Sequence, residues 1–322
     1  MADKGNPLVT LRGWHRPLVV LAGAMGVLCA VSLLGLLLDD RTLVNAPIWL
    51  KPLKFSVSVG TYALTLAWLL THVRRARRAG WWFGTVFAAG IGADVALIVV
   101  QMIFRGHTLH FNKATPADIM INNVVAGGAY AAWLMTAAVV VLLLFQRLPD
   151  RALNSALRWG TALALAGMGV AMLMFSPSPA QQAVLDAGGR PATFGAHSVG
   201  VEDGGPGLPV LGWSTVGGDL RIPHFAGIHG LQVLPLVAFG LLVLARRYPV
   251  LADDIVRRRL VRIAGAGYAG LLVLLTWQAQ RGQSIVHPDF WTLAAGFALA
   301  AVVVAAGAVA VRPSAEILRS AR

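Results

Sequence analysis

Five histidines lie around the ends of three long apolar segments of the sequence: His107, His110, His224, His229 and His287. Imidazole is the commonest side-chain metal ligand and binds zinc, copper and iron, including haem iron, and helix bundles assemble such sites from separate helices. The sequence therefore predicts that these side chains hold a haem or a His-ligated transition metal. Because no HExxH or c-type haem spacing occurs, two alternatives stay open. The histidines could bond to loop backbone or lipid headgroups, or they could relay protons or substrate.

Four basic residues flank the same apolar segments: Lys54, Arg105, Arg221 and Arg281. A guanidinium binds a carboxylate or a phosphate through two parallel hydrogen bonds. These residues could therefore anchor the anionic part of a cofactor, such as a haem propionate, or of a substrate. Two interpretations compete with this one. The side chains could extend to lipid headgroups, or they could form structural ion pairs with acids such as Asp219 and Asp289.

Polar side chains also occur inside the apolar segments. Asp94 lies near the middle of the third segment, where a buried ionisable group is expensive and faces protein or water, so it could carry a proton or couple an ion. Gln101, Gln232 and Gln278 are further intramembrane polar residues, for which hydrogen bonding between helices is the alternative. Pro235 removes one backbone hydrogen bond and predicts a kink beside Gln232.

The composition assigns the chain to the membrane proteins. Of its 322 residues, 57% are hydrophobic and 13% are charged, whereas a soluble domain carries about 25% charged residues. This excludes an ordinary soluble enzyme and a disordered chain. A single cysteine, Cys29, excludes an internal disulfide, a CxxC redox pair and a cysteine zinc site. Eight segments are long enough to cross a bilayer, which takes about 20 residues; they lie near 18–38, 55–73, 81–104, 120–146, 157–175, 224–245, 261–280 and 290–311.

The basic residues predict how the chain crosses the membrane. If both termini are cytoplasmic, most of the 27 Lys and Arg residues lie on the cytoplasmic side, in agreement with the positive-inside rule. Arginine clusters beside anionic headgroups then explain the net charge of +13 without nucleic acid. We expect a multi-pass protein of a bacterial plasma membrane whose partners are the lipid bilayer and, where it acts on one, a small-molecule substrate.

Two short motifs recur at an offset of about 170–176 residues. The sequence LKPLKF at 50–55 corresponds to LRIPHF at 220–225, and RGH at 105–107 corresponds to RGQ at 281–283. An offset of four spans preserves the orientation of each helix. The two repeats are therefore expected to be parallel and related by an axis along the membrane normal.

The predicted fold is all-α and transmembrane, with eight spans forming two tandem four-helix bundles. We expect the first bundle within 1–150 and the second within 151–322, and both termini in the cytoplasm. The Gly- and Pro-rich segment 176–223 becomes a long outer loop between spans five and six.

The sequence GAGYAG at 265–270 satisfies the GxGxxG pattern of dinucleotide-binding proteins. It lies inside an apolar span, without the preceding strand that this fingerprint requires. Small residues that let two helices approach closely are the better interpretation.

Three stretches of sequence resemble those of uncharacterised multi-pass membrane proteins of bacteria: KPLKFSVSVGTYALTLAWLL, QMIFRGHTLHFN and GDLRIPHFAGIHGLQ. This likeness covers most of the chain and implies no particular activity. The layout of two tandem four-helix bundles also resembles haem A synthase in its architecture. Segment 55–73 lacks the Glu-x-x-x-His signature of that family, so none of its ligand residues is transferred to this chain.

These observations lead to two functional hypotheses and a third without residue-specific consequences. The first is a membrane redox protein or enzyme with a metal or haem site at the outer face. The second is a proton-coupled transporter or channel for a small solute, using Asp94 and the kinked sixth span. The third is a structural or assembly protein. Whether the chain is an enzyme stays open.

Overall fold

The computed structural model describes residues 13–109, 111–146 and 150–312. It is mostly helical (72%), and eight of its helices are long and apolar enough to cross a membrane. They are α1 (Arg16–Leu38), α2 (Leu50–Thr71), α3 (Arg77–Val99, continued by a π-helix over Val100–Phe104), α4 (Pro116–Leu144), α5 (Arg151–Val170, continued by a 3-10 helix over Ala171–Phe175), α7 (Arg221–Leu244), α8 (Asp254–Gln280) and α9 (Phe290–Ala310). The eight predicted spans are thus confirmed by length and composition.

The remaining elements are short. Helix α6 spans Pro179–Asp186, and a 3-10 helix spans Pro249–Ala252. Two antiparallel pairs of two-residue strands complete the described structure: β1 (Thr42–Leu43) with β2 (Ala46–Pro47), and β3 (Ser198–Val199) with β4 (Gly218–Asp219).

Polar capping residues determine where several helices begin. The side chains of Thr115, Asp150 and Asp289 accept hydrogen bonds from backbone N–H groups in the first turns of α4, α5 and α9, which satisfies donors that have no partner within the helix. The first turns of α4 and α5 contain Asp118, Arg151 and Asn154, so hydropathy predicts these two helices to begin later than they do. Helix α5 accordingly begins at Arg151, ahead of the start predicted near 157.

The described residues form two compact units. The first lies within Met1–Gln146 and Gln181–Phe194, and the second within Arg147–Ala180 and Gly195–Arg322. In the first unit, α1 packs on α2 and α3, α2 packs on α3, and α3 packs on α4. In the second unit, α5 packs on α7 and α8, α7 packs on α8, and α8 packs on α9. The order of helix neighbours is therefore the same in both units.

The long segment between α5 and α7 is ordered and is shared by the two units. Its residues Gln181–Phe194 belong to the first unit, where the backbone N–H of Lys113 donates to Ala192 O at 2.7 Å and that of Phe194 donates to Phe111 O at 3.0 Å. In the second unit, Ala196 N donates to Met174 O at 3.0 Å. Hydropathy patterning carries no information about this division, because it rests on backbone hydrogen bonds.

Glycines allow the helices of the second unit to approach closely. A Cβ added to Gly227 on α7 would overlap the backbone of Gly167 on α5, and one added to Gly160 would lie 2.8 Å from Gly230 O. The glycines of the GAGYAG sequence have the same role. Gly265 packs against the Trp159 ring, and a Cβ on the other two would press on side chains of α9. The helix-packing interpretation of this motif agrees with these contacts.

Candidate functional site

The first unit contains a buried carboxylate that accepts four side-chain hydrogen bonds. Asp118 lies in the first turn of α4, and its side chain is fully buried. Its oxygens accept from Gln101 Nε2 at 2.7 Å, Arg105 Nη2 at 3.1 Å, His107 Nδ1 at 3.0 Å and Thr115 Oγ1 at 2.7 Å. We call these five residues the Asp118 network. A buried carboxylate needs such donors to offset its loss of hydration.

A π-helical turn at the end of α3 brings two of these donors to Asp118. Over Val100–Phe104 the helix widens, and Arg105 N donates to Val100 O at 3.1 Å. Gln101 at the start of the turn and Arg105 just after it both reach Asp118. Single π turns within α-helices occur frequently at functional sites.

The amide of Gln101 also holds the loop that follows the π turn. Its Nε2 donates to Thr108 O at 3.1 Å, and its backbone carbonyl accepts from His107 N at 3.0 Å. Its Oε1 is buried and has no hydrogen-bond partner among the described residues. Among the described residues, the side-chain oxygen of Gln101 is therefore an acceptor without a donor inside the Asp118 network.

The second unit repeats part of this arrangement with a different set of side chains. Gln278 Nε2 donates to Ser284 O at 2.9 Å, as Gln101 does to Thr108 O. Arg281 donates to Asp289, which is the N-cap of α9, and Thr292 Oγ1 donates to Gln283 Oε1 at 2.6 Å.

The two units have the same pair of residue types at the start of the last helix, but in the opposite order. The first unit has Thr115 as the N-cap and Asp118 three residues later, whereas the second has Asp289 as the N-cap and Thr292 three residues later. The carboxylate of Asp289 is 33% exposed, so the buried carboxylate belongs to the first unit's version of this arrangement.

Three of the four predicted anion-anchoring residues form ion pairs within their own unit. Arg105 pairs with Asp118, Arg221 with Asp219 and Arg281 with Asp289. These contacts are the structural ion pairs expected as the alternative. Lys54 lies in the first turn of α2. Anchoring of a cofactor or substrate by these four side chains stays a prediction.

One further ion pair, between Asp39 and Arg41, was not predicted from the sequence. Arg41 Nε donates to Asp39 Oδ1 at 2.9 Å, and Arg41 Nη1 donates to Ile103 O at 2.9 Å. Hydrogen bonds from Arg41 and Trp49 hold the pKa of Asp39 well below its usual range. The available signal was the Asp-x-Arg spacing, which recurs at 219 and 221 with the same set of bonds.

The predicted histidine ligands have separate partners. His107 bonds to Asp118, His224 Nδ1 donates to Gly167 O at 2.7 Å, and His229 Nδ1 lies 3.3 Å from Gln232 Oε1. His287 lies in the loop before α9, and His110 lies outside the described residues. Over 13–109, 111–146 and 150–312, no three His, Cys, Asp or Glu side chains form a group that could hold a metal. The haem or metal site stays a prediction without support from these contacts.

Asp94 lies in the middle of α3 and faces α4. It is 5% exposed, and its Oδ1 atom has no hydrogen-bond partner among the described residues. A Cβ added to Gly128 of α4 would overlap the Asp94 carboxyl group. The glycine thus makes room for an acid that has no ion-pair partner among the described residues.

An apolar layer separates Asp94 from the Asp118 network. Ile98 of α3 packs with Ile121 and Val125 of α4 in one buried cluster. Asp94 and Gln101 are seven residues apart, which corresponds to roughly 10 Å along a helix. The α3–α4 interface therefore has a polar middle, an apolar layer and a polar end.

Two remaining sequence predictions concern α7. Pro235 lies inside this helix and is buried, and α7 is continuous from Arg221 to Leu244 around it. Gln232 is one turn from His229 and bonds to it.

No family model matches this chain, and neither a curated protein nor a solved structure matches it.

Proposed function

We propose that this chain is a multi-pass protein of a bacterial plasma membrane that moves a small solute together with protons. Asp94 is the residue that binds and releases the coupled proton. The observation that carries the proposal is the position of Asp94, buried at the middle of a membrane-length helix with one carboxylate oxygen that has no donor. An ionisable residue placed in this way is expensive to keep unless function requires it.

The chemistry of the α3–α4 interface supports this proposal. A carboxylate without a donor is costly when charged and much less costly when it carries a proton. Asp94 can therefore exchange a proton only when water or a polar solute reaches it. The layer of Ile98, Ile121 and Val125 blocks the approach from the Asp118 network in the described conformation. Movement of α3 against α4 at this layer would open the route.

The second unit has no acid at the equivalent position. Asp94 lies seven residues before Gln101, and Leu271 lies seven residues before Gln278. We therefore assign proton coupling to the first unit. In this proposal Gln232 and Pro235 of α7 contribute a polar side chain and a missing backbone N–H to solute movement within the second unit.

The proposed arrangement in the membrane is two parallel four-helix repeats with both termini in the cytoplasm. The shared order of helix neighbours and the matching bonds of Gln101 and Gln278 support the repeat. The arginine clusters at 74–78 and 257–262 support the orientation, because basic loops are retained in the cytoplasm.

Proton movement into liposomes tests the function. Purified protein is reconstituted with a trapped pH-sensitive dye, and a panel of amino acids, sugars, carboxylates and monovalent cations is added outside under an imposed membrane potential. We expect one solute class to drive acidification in the wild type and the rate to fall at least tenfold in Asp94→Asn. Asp186→Asn, an exposed acid on α6, is the matched control and should keep the wild-type rate.

A second readout does not need the solute. The infrared carbonyl band of a protonated carboxylic acid, followed through a pH titration in bilayers, should lose one component in Asp94→Asn and in no control variant. Equal proton fluxes and equal infrared bands in the wild type and Asp94→Asn would exclude the proposed role of Asp94.

A further inference from the structure

A cavity of about 280 Å³ opens at the end of the first unit opposite the Asp118 network. It lies where α1 and α3 begin and where α2 ends. Its lining includes two arginines, three aromatic side chains and a hydroxyl group: Arg16, Arg77, Trp14, His15, Trp81 and Thr71. We call it the Arg16–Arg77 cavity. It is separate from the α3–α4 site and has no part in the function proposed above.

The charge around this cavity is positive and uncompensated in the described structure. Arg16 and Arg77 each begin a helix, so the positive ends of two helix dipoles also face this region. Among the described residues, neither guanidinium has a carboxylate within ion-pair distance. Arg74, Arg75 and Arg78 lie on the same end, and the sequence places no acid between 70 and 81.

Among the residues that line the cavity, only Arg16 and Arg77 carry a charge. His15 does not add charge, because burial lowers the pKa of its imidazole and its Nδ1 accepts a hydrogen bond from Leu18 N.

The neighbouring aromatic residues indicate the depth of the cavity in a bilayer. Trp81 lines it and is 45% exposed, and Trp82 beside it is 60% exposed. Tryptophans with exposed rings at the ends of spans lie at the level of the lipid headgroups. Leu70 gives the same cavity an apolar wall toward the membrane interior. A ligand here would therefore meet cations on one side and the lipid phase on the other.

We infer that the Arg16–Arg77 cavity binds the phosphate headgroup of an anionic phospholipid. The guanidinium groups match the phosphate oxygens in charge and geometry, and the glycerol backbone lies against Leu70 and Trp81. Basic pockets between transmembrane helices are a recurrent mode of headgroup recognition. A free phosphate would share the ionic contacts but would leave the apolar wall uncovered.

Lipid binding is measured on the full chain purified in a neutral detergent, by native mass spectrometry or by titration. The probes are short-chain phosphatidylglycerol, short-chain phosphatidylcholine and inorganic phosphate. We expect phosphatidylglycerol to bind at least tenfold more tightly than phosphatidylcholine, and excess inorganic phosphate not to displace it. Displacement by inorganic phosphate at the same concentration as the lipid would overturn the assignment to a lipid.

Two double variants distinguish the cavity from general surface charge. Arg16→Gln with Arg77→Gln should weaken phosphatidylglycerol binding at least tenfold. Arg75→Gln with Arg78→Gln removes the same charge at the same end, outside the cavity lining, and should weaken it less than about threefold. Equal losses in the two pairs would overturn the proposal.

A milder variant protects the test against misfolding. Arg16→Lys with Arg77→Lys keeps both positive charges and removes the planar guanidinium groups that bind phosphate through paired hydrogen bonds. We expect this variant to retain the circular dichroism of the wild type and to weaken phosphatidylglycerol binding several-fold, without affecting phosphatidylcholine. An unchanged affinity for phosphatidylglycerol would contradict the placement of the headgroup between these two arginines.

Discussion

The Nδ1 atom of His107 lies 3.0 Å from Oδ1 and 3.2 Å from Oδ2 of Asp118. A carboxylate can only accept, so Nδ1 carries the hydrogen and Nε2 is directed away from Asp118. The His107 side chain is 41% exposed, whereas that of Asp118 is fully buried. The pair therefore connects a buried charge to a solvent-accessible imidazole at one end of the α3–α4 interface.

Replacing Asp118 should destabilise the first unit. Asp118→Asn keeps the shape of the side chain but removes the charge that Arg105 and His107 face. The amide nitrogen of asparagine cannot accept a hydrogen bond, so buried donors of the Asp118 network lose an acceptor, and we expect a loss of about 1–3 kcal/mol in the free energy of unfolding. Chemical unfolding in detergent measures it.

Asp289→Asn is the matched control for Asp118→Asn. It removes the corresponding partner of Arg281 in the second unit, where both side chains are about one-third exposed. Water replaces the contact there, so the loss should be clearly smaller. Losses of equal size would show that burial of Asp118 does not determine its contribution.

Gly128→Ala should impair both stability and proton movement. The added Cβ would overlap the Asp94 carboxyl group and force α3 and α4 apart. Overpacking of this kind costs about 1–3 kcal/mol, and the proton flux should fall with it. Gly127→Ala is the control, because a Cβ there meets nothing within 4 Å. If the two variants lower the thermal transition in detergent equally, the contact between Gly128 and Asp94 is not responsible.

The crossing of α5 and α7 should be sensitive to one methyl group. In Gly227→Ala the new Cβ would meet the backbone of Gly167, which cannot move aside as a side chain could. We expect a loss of about 2 kcal/mol or more. Gly169→Ala lies on the same helix as Gly167 and meets nothing within 4 Å, so it should unfold like the wild type. A wild-type transition for Gly227→Ala would mean that the helices are farther apart than described.

Acid should weaken the contact between Asp39 and Arg41. Because hydrogen bonds lower the pKa of Asp39 in the folded state, its contribution to stability is present above the unfolded pKa of about 4. It is lost as the pH falls from there toward the folded pKa. When thermal unfolding is measured between neutral and acidic pH, the unfolding temperature should decrease less toward acidic pH in Asp39→Asn than in the wild type. Arg41→Gln removes the guanidinium bonds but keeps the bond from Trp49 Nε1, so the pH dependence should decrease in part. An unchanged pH dependence of unfolding in both variants would contradict this assignment.

Hydropathy was sufficient to predict the eight spans, because a membrane helix must be long and apolar regardless of its neighbours. The residues at which the helices begin were harder to predict. Arg151 and Asp254 lie in first turns that are stabilised by capping residues, and these turns are too polar for hydropathy to identify them as parts of a membrane span.

The Asp118 network was only partly predictable. Gln101, Arg105 and His107 were identified by residue type, but Asp118, the acceptor that joins them, was not. A Thr-x-x-Asp capping pattern at 115–118 was the available signal. The convergence itself depends on the π turn, whose occurrence is decided by tertiary packing, and sequence periodicity does not report it. The division of the segment after α5 between two units is likewise set by long-range backbone hydrogen bonds.

The π turn also bears on the history of the chain. Gln101 and Arg105 are four residues apart, whereas Gln278 and Arg281 are three apart, yet both glutamines hold their loops and both arginines reach an aspartate. On the duplication proposed above, the widened turn is the trace of a one-residue insertion in one copy. An extra residue in a regular helix would have rotated everything beyond it by about 100°. Confined to a single turn, the extra residue leaves Arg105 directed at the start of α4, as Arg281 is directed at the start of α9.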